Sequence, residues 1–372
     1  MAKFRIGVLT GGGDCAGLNS AVKWVVKTAM DSRLEKERGI QCEVLGIRDG
    51  WKGLVLPPPD TFDESQHVCC LTEDIVRTWD RHGGTNLGSS RTNPYNPKDY
   101  RVEEVKKHIE KLQLNALVAI GGDDTLGVAG QLASEGIKVV GIPKTIDRDI
   151  VLTDYTLGYE TALNVITEEV DRLRTYAGSH QVVFVIETMG RHAGWLALEG
   201  GEASGAYIIL IPEYDFSMER VDELVLQGVR EGNRYNIIMV AEGASPAGYS
   251  TFTKKEETDE FGHVFLGGIG NYVAQEIEKG TKLMTRSMAL GYLQRGGAPC
   301  AYDRRMGRYF GIAAVDLIIQ ENYGRMVSFQ NGKITSVPIE DIVGKTQTVD
   351  VKTLYDTERL NGRRTILNLP KQ

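Results

Sequence analysis

Short apolar runs that end near glycine or a charged residue alternate with amphipathic stretches along this chain, and that alternation constrains its fold more than any other feature. The runs at 6–9, 44–47, 116–120 and 139–142, then at 182–186, 206–211, 237–241 and 287–290, have the length of strands rather than helices. Segments 20–30, 100–112, 161–175, 218–231 and 306–320 repeat their apolar residues at helical spacing. Strands separated by such helices bury both surfaces in a mostly parallel sheet covered by helices, which predicts an α/β protein. At 372 residues the chain exceeds a usual single core, so it reads as two packed domains or one large α/β unit. Pro57-Pro58-Pro59 predicts a rigid surface connection, and the polar stretch 249–262 an excursion between a strand and the next helix. Leu71, Ile75 and Trp79 read as the core stripe of a helix.

The charge balance narrows the function. Lys plus Arg number 43 and Asp plus Glu 50, a net charge of −7, which argues against a nucleic-acid partner. It leaves room for anionic ligands held by local arginines. No apolar run approaches the roughly 18–20 residues that span a bilayer, so no membrane is expected. The N-terminus enters its first apolar run without a signal-like stretch. Five cysteines, odd in number and without metal-ligand spacing, fit a reducing cytoplasm.

Ligands of such sheets bind beyond the carboxyl ends of strands, where glycine turns feed helices. Three turns here carry chemistry. In Thr10-Gly11-Gly12-Gly13-Asp14 a strand runs through three glycines towards a helix, so backbone N–H groups can approach a phosphate; a ligand-free tight turn is the plainer reading. The run lacks the Gly-Lys-Ser/Thr of a P-loop and is not a clean GxGxxG. Gly121-Gly122-Asp123-Asp124-Thr125 puts two carboxylates at a helix start, either an oxygen-ligand site for Mg²⁺ or a charged first turn favoured by the helix dipole. Pro143-Lys144-Thr145-Ile146-Asp147-Arg148-Asp149 gathers acids, bases and a hydroxyl after a strand. There a carboxylate could take a hydroxyl proton and cations hold a polyphosphate, unless the segment is a solvated turn.

Taken with Glu187-Thr188-Met189-Gly190-Arg191, Ala241-Glu242-Gly243 and Gly291-Tyr292-Leu293-Gln294-Arg295-Gly296-Gly297, these motifs resemble the phosphofructokinase family over nearly the whole chain. The resemblance implies two Rossmann-like α/β domains with an active cleft between them. The phosphoryl-donor domain would comprise 1–158 and 294–344, the fructose 6-phosphate domain 159–293 and 345–372. It implies transfer of a phosphoryl group to the 1-hydroxyl of fructose 6-phosphate, with Asp147 as general base flanked by Thr145 and Asp149, and Asp123 holding Mg²⁺. Gly13 and Arg91 would meet the donor, and Arg191, after Met189 and Gly190, the moving charge. Glu242 would accept sugar hydroxyls, and Tyr292 and Arg295 would meet the 6-phosphate. Arg286 would reach the sugar phosphate of a neighbouring subunit, which makes a homodimer or homotetramer part of the site.

Donor choice turns on Asp124 and Lys144. ATP-using members commonly carry glycine where this chain has Asp124. Two unit charges about 4 Å apart repel by roughly 4 kcal/mol at an effective dielectric of 20, and even about 2–3 kcal/mol is roughly a hundredfold in affinity. Lys144 offers an ammonium to a short, highly charged donor. The pair is the pattern of pyrophosphate-using members, which predicts a reversible, pyrophosphate-dependent reaction with weak or no effector response. Trp51 keeps the ATP alternative open, since it could stack on adenine or simply pack. A non-catalytic sugar-phosphate-binding subunit is the remaining alternative. The chain departs from the family at Arg148, usually Asn, which reads as an outward salt-bridge partner or as a partner of Asp147 and Asp149. It departs again at Ala16, often Pro, and at Val182, where many relatives send an arginine across the interface.

Overall fold

Every apolar run of the sequence forms or overlaps a strand of the computed structural model, which describes residues 3–55, 64–249 and 253–367. The strands are β1 Phe4–Thr10, β2 Cys42–Ile47, β3 Val68–Leu71, β4 Ala116–Gly121, β5 Val139–Pro143, β6 Val183–Thr188, β7 Ile208–Leu210, β8 Asn236–Ala241, β9 Thr253–Thr258, β10 Val264–Leu266, β11 Thr285–Ala289, β12 Arg325–Gln330 and β13 Lys333–Pro338. The principal helices are α1 Leu18–Ala29, α2 Val102–Lys111, α3 Asp123–Ser134, α4 Tyr159–His180, α5 Trp195–Ala203, α6 Met218–Arg230, α7 Ile269–Thr281 and α8 Ala301–Ile319.

Two sheets result. A seven-stranded sheet runs β13-β12-β5-β4-β1-β2-β3, and a four-stranded sheet runs β11-β6-β8-β7. The second is wholly parallel. The first is parallel from β12 to β2 and takes an antiparallel strand at each edge. Side chains alternate across each strand, so Ile6 and Val8 enter a core shared by both sheets while Leu9 enters a second core on the opposite face of the larger sheet. That shared core fixes the two sheets against each other, and with them the cleft between their carboxyl ends.

The structure departs from the sequence reading in several elements. Helix α5 and strands β3, β12 and β13 go beyond the sequence reading, which reached α3 only at its acidic start and α7 only as the helix after 249–262. The stretch 249–262 contains β9, which pairs antiparallel with β10 as a hairpin. Leu71, Ile75 and Trp79 share no helix: Leu71 ends β3, Ile75 lies half-exposed in a single helical turn, and Trp79 begins a 3-10 turn. Pro57-Pro58-Pro59 lies outside the described residues. All five cysteines are free thiols, and none of the described helices is long and apolar enough to cross a membrane.

Candidate active site

Strands β5, β4 and β1 are neighbours, so their carboxyl ends bring the three sequence turns side by side. Gly12, Gly13, Asp123, Asp124, Thr125, Lys144, Thr145 and Asp147 line one pocket there, together with Arg91, Arg191 and Arg295. A second pocket adjoins it and shares those three arginines, adding Met189, Glu242, His263, Gly291 and Tyr292. Asp149 and Gly190 are not among these linings. The sequence thus named most of what converges.

Gly13 lets the Arg295 guanidinium come close: a Cβ there would lie 2.6 Å from its Nη1, so any larger residue would displace that side chain. That guanidinium donates to the Asp14 carbonyl at 3.1 Å, so Arg295 borders the donor turn as well as the sugar pocket. Lys144 is buried, and its ammonium donates to the Gly13 carbonyl. Burial pushes the lysine pKa down, opposed in part by Cys15 and Asp147. The backbone N–H of Lys144 donates to the Gly121 carbonyl at 2.9 Å, which locks the catalytic segment to the acidic turn.

Within that segment the chain alternates. Asp147 is 5% exposed, its N–H donates to the Thr145 hydroxyl at 3.0 Å, and its Oδ1 is buried with no protein partner. Asp149 likewise leaves Oδ1 buried and unpartnered. Burial pushes the Asp149 carboxyl up to about 7, and the charges of Asp147 and Asp123 push in the same direction. Arg148 between them takes a left-handed backbone, φ 53°. Its guanidinium turns from both acids to pair with Glu199, packing over Trp195 at 4.6 Å and Tyr159 at 5.3 Å. Arg148 is therefore a salt-bridge partner, as one sequence reading had it, yet half-buried among aromatics rather than free on the surface.

Asp123 and Asp124 open helix α3. The Asp123 side chain faces the open cleft yet is ringed by protein atoms, and this desolvation, with Asp124 beside it, raises its pKa. Oxygens of both residues lie within 4.8 Å of each other and of a His263 ring nitrogen, a group able to hold a metal ion. Arg191 answers the acids. Burial opposes its charge, but Asp147, Asp123, Asp124 and Asp149 together hold its pKa above the ordinary value. Its backbone, φ 51°, donates to Glu242 at 3.2 Å, and a Cβ at Gly243 would overlap the Arg191 carbonyl.

Other residues fall where the sequence gave no signal. His263, in the turn between β9 and β10, places Nε2 at 2.9 and 3.1 Å from the two Asp124 oxygens, and that hydrogen bond raises its pKa. Asp259 of the same turn pairs with Arg91 at 2.9 Å, so the cation expected at the donor already has a carboxylate. Arg286 lies exposed on edge strand β11, away from both pockets of its own chain, and Tyr292 is 79% exposed. Val182 is fully buried, and its apolar side chain offers no cation to the interface. Trp51 is 1% exposed inside the core, so it packs rather than offering a face to a nucleobase.

Comparison with known proteins places this geometry. The family model described as Phosphofructokinase matches residues 5–318. A pyrophosphate–fructose 6-phosphate 1-phosphotransferase of Dictyoglomus thermophilum is 44% identical over 364 residues, covering 96% of this chain and all of that protein. ATP-dependent 6-phosphofructokinase 3 of Streptomyces coelicolor is 40% identical over 345 residues, covering 93% of this chain and 96% of that one. The crystal structure of a pyrophosphate-dependent phosphofructokinase from Marinobacter aquaeolei superposes with a TM-score of 0.79 over 97% of this chain and 89% of its own; at 20% identity it speaks for the fold alone. With a glycine turn, an acidic helix start and a Thr-x-Asp-x-Asp segment converging on one cleft, the chain belongs to the phosphofructokinase family.

Proposed function

We propose that this protein is a pyrophosphate-dependent 6-phosphofructokinase, moving a phosphoryl group from pyrophosphate to the 1-hydroxyl of fructose 6-phosphate. The observation that carries the donor assignment is Asp124 in one pocket with a buried Lys144, beside the Gly12–Gly13 turn. The carboxylate takes up space and charge where a nucleotide would extend, and the ammonium suits a compact polyanion. The 44% identity to an enzyme of that name supports the same reading.

In the proposed reaction, Asp147 accepts the proton of the 1-hydroxyl, whose oxygen attacks the nearer phosphorus as the bridging P–O bond breaks and phosphate leaves. Arg191, set among four carboxylates in the free protein, is placed to exchange them for the charge of the moving group. Lys144 and Thr145 hold the donor side with Gly13 and Arg91. Glu242, Met189 and Gly190 contact the sugar, while Tyr292 and Arg295 meet the 6-phosphate. The carboxylate oxygens of Asp123 fit Mg²⁺, which takes oxygen ligands and few protein carboxylates; the ion would withdraw charge from the donor's phosphate oxygens. The imidazole of His263 is a poorer match for that ion.

The exposed edge of β11, with Met284 50%, Met288 43% and Leu293 55% exposed around Arg286, suits a second copy of the chain as its cover. That pairing would bring Arg286 to the neighbour's sugar phosphate in a homodimer or homotetramer. The domain limits proposed are 1–158 with 294–344 for the donor and 159–293 with 345–372 for the sugar, in a cytoplasmic enzyme.

Incubation of the purified protein with fructose 6-phosphate, pyrophosphate and Mg²⁺ should yield fructose 1,6-bisphosphate and phosphate, and the products should regenerate pyrophosphate. Absence of turnover with pyrophosphate in either direction would defeat the reading. ATP dependence is the second reading, favoured by the relative of that name at 40% identity.

A further inference from the structure

The acidic helix start does not stand alone. The turn between β9 and β10 crosses from the smaller-sheet half of the molecule to the donor half and is fastened there at three points. Asp259 pairs with Arg91, the Glu260 carboxylate accepts from the Asn93 backbone N–H at 3.0 Å, and His263 meets both oxygens of Asp124. The turn is itself pinned, since Asp259 Oδ1 accepts from the N–H groups of Phe261 and His263 at 3.1 and 3.0 Å. A free aspartate on the first turn of a helix exchanges between rotamers; one whose two oxygens share an imidazole N–H is held in one. The imidazole also lines the sugar pocket, so it stands where the two pockets meet.

We propose that His263 is a specificity-determining residue: by fixing the Asp124 carboxylate in the donor pocket, it makes donor choice the work of a pair spanning both halves rather than of Asp124 alone. This rests on the pyrophosphate reading above. A carboxylate already bonded to an imidazole repels a phosphate less than a lone one, so discrimination falls more heavily on the place it is held and the space the pair fills. Freed of His263, Asp124 turns aside and the longer donor is tolerated.

The test is kcat/KM for pyrophosphate and for ATP, in Mg²⁺, for the unaltered enzyme and for H263A, H263Q, D124G and D124G/H263A. The expected preference for pyrophosphate narrows about tenfold in H263A and about a hundredfold in D124G. H263Q, which keeps an N–H donor on a flexible stem, retains most of the preference. Because the two residues act as one unit, adding H263A to D124G changes the ratio by less than about threefold. The proposal is overturned if H263A scales both donors equally, if both His263 variants abolish turnover with both donors alike, or if the H263A effect appears in full on top of D124G. An unaltered enzyme that prefers ATP instead defeats the functional reading and this proposal with it, an outcome distinct from all three.

Discussion

At the ends of β1, β4 and β5, buried groups of a single chain meet: Lys144 on the Gly13 carbonyl, Asp147 and Asp149 with unpartnered oxygens, and Arg191 facing four acids. Along β11, by contrast, Arg286 and Met288 stand exposed on the sheet edge, with Tyr292 exposed just beyond. The donor end thus stores electrostatic tension inside one chain, whereas the sugar end presents a surface that a second chain would complete. Groups held out of water and unpaired in the free protein are where substrate binding gains most.

The sharpest way to break that contrast is at the base. D147A should lower kcat about 10²- to 10⁴-fold with either donor, the range for loss of a general base, while circular dichroism stays unchanged; a variant within a few-fold of the parent would remove Asp147 from the chemistry. Next comes the edge. M288E should drive the proposed oligomer towards monomer in sedimentation and raise the KM for fructose 6-phosphate about 10- to 100-fold, as loss of a charge-assisted contact would, with the KM for pyrophosphate little altered. An oligomer broken without effect on the sugar KM would show the sugar end complete within one chain.

A smaller effect probes the stored tension. Burial, with the charges of Asp147 and Asp123, pushes the Asp149 carboxyl up to about 7 in the folded protein from an ordinary value of 3.8, so the unfolded chain releases this proton first as pH rises. Its contribution is therefore intact below pH 4 and is lost progressively towards pH 7 and above. D149N, neutral throughout, should melt about 2 °C higher than the parent at pH 8 and no higher at pH 4, while losing activity. Equal melting shifts at both values would contradict the assignment. The smallest effect belongs to R148N, which surrenders the contacts with Glu199, Trp195 and Tyr159; kcat should fall about two- to fivefold at constant KM, an effect of the size of a lost cation–π contact. A change confined to KM would mean that Arg148 touches substrate.

The two ends also differ in how far the sequence disclosed them. The parallel strands were legible because buried strands are continuous apolar runs, and the glycine turns lie within a few residues of the acids and bases they serve. Helix α3 was legible only at its acidic start, because Gly127 and Gly130 dilute the pattern of its body, and α5 was missed because residues 195–198 are buried on every side and leave no polar face to mark a stripe. Edge strand β13 and its neighbour β12 mix polar and apolar residues and carry no clean run. Nothing local could have paired His263 with Asp124 or Asp259 with Arg91, since each pair is separated by well over a hundred residues and joined only by the fold. Sequence alone left Trp51 free to stack on adenine or to pack; its burial decides for packing.

The donor assignment is most directly tested by kcat/KM for pyrophosphate and for ATP, measured on the unaltered enzyme at saturating fructose 6-phosphate in the same Mg²⁺ buffer. A held Asp124 beside a buried Lys144 predicts a preference for pyrophosphate of about a hundredfold or more. Equal values, or a preference for ATP, would contradict it.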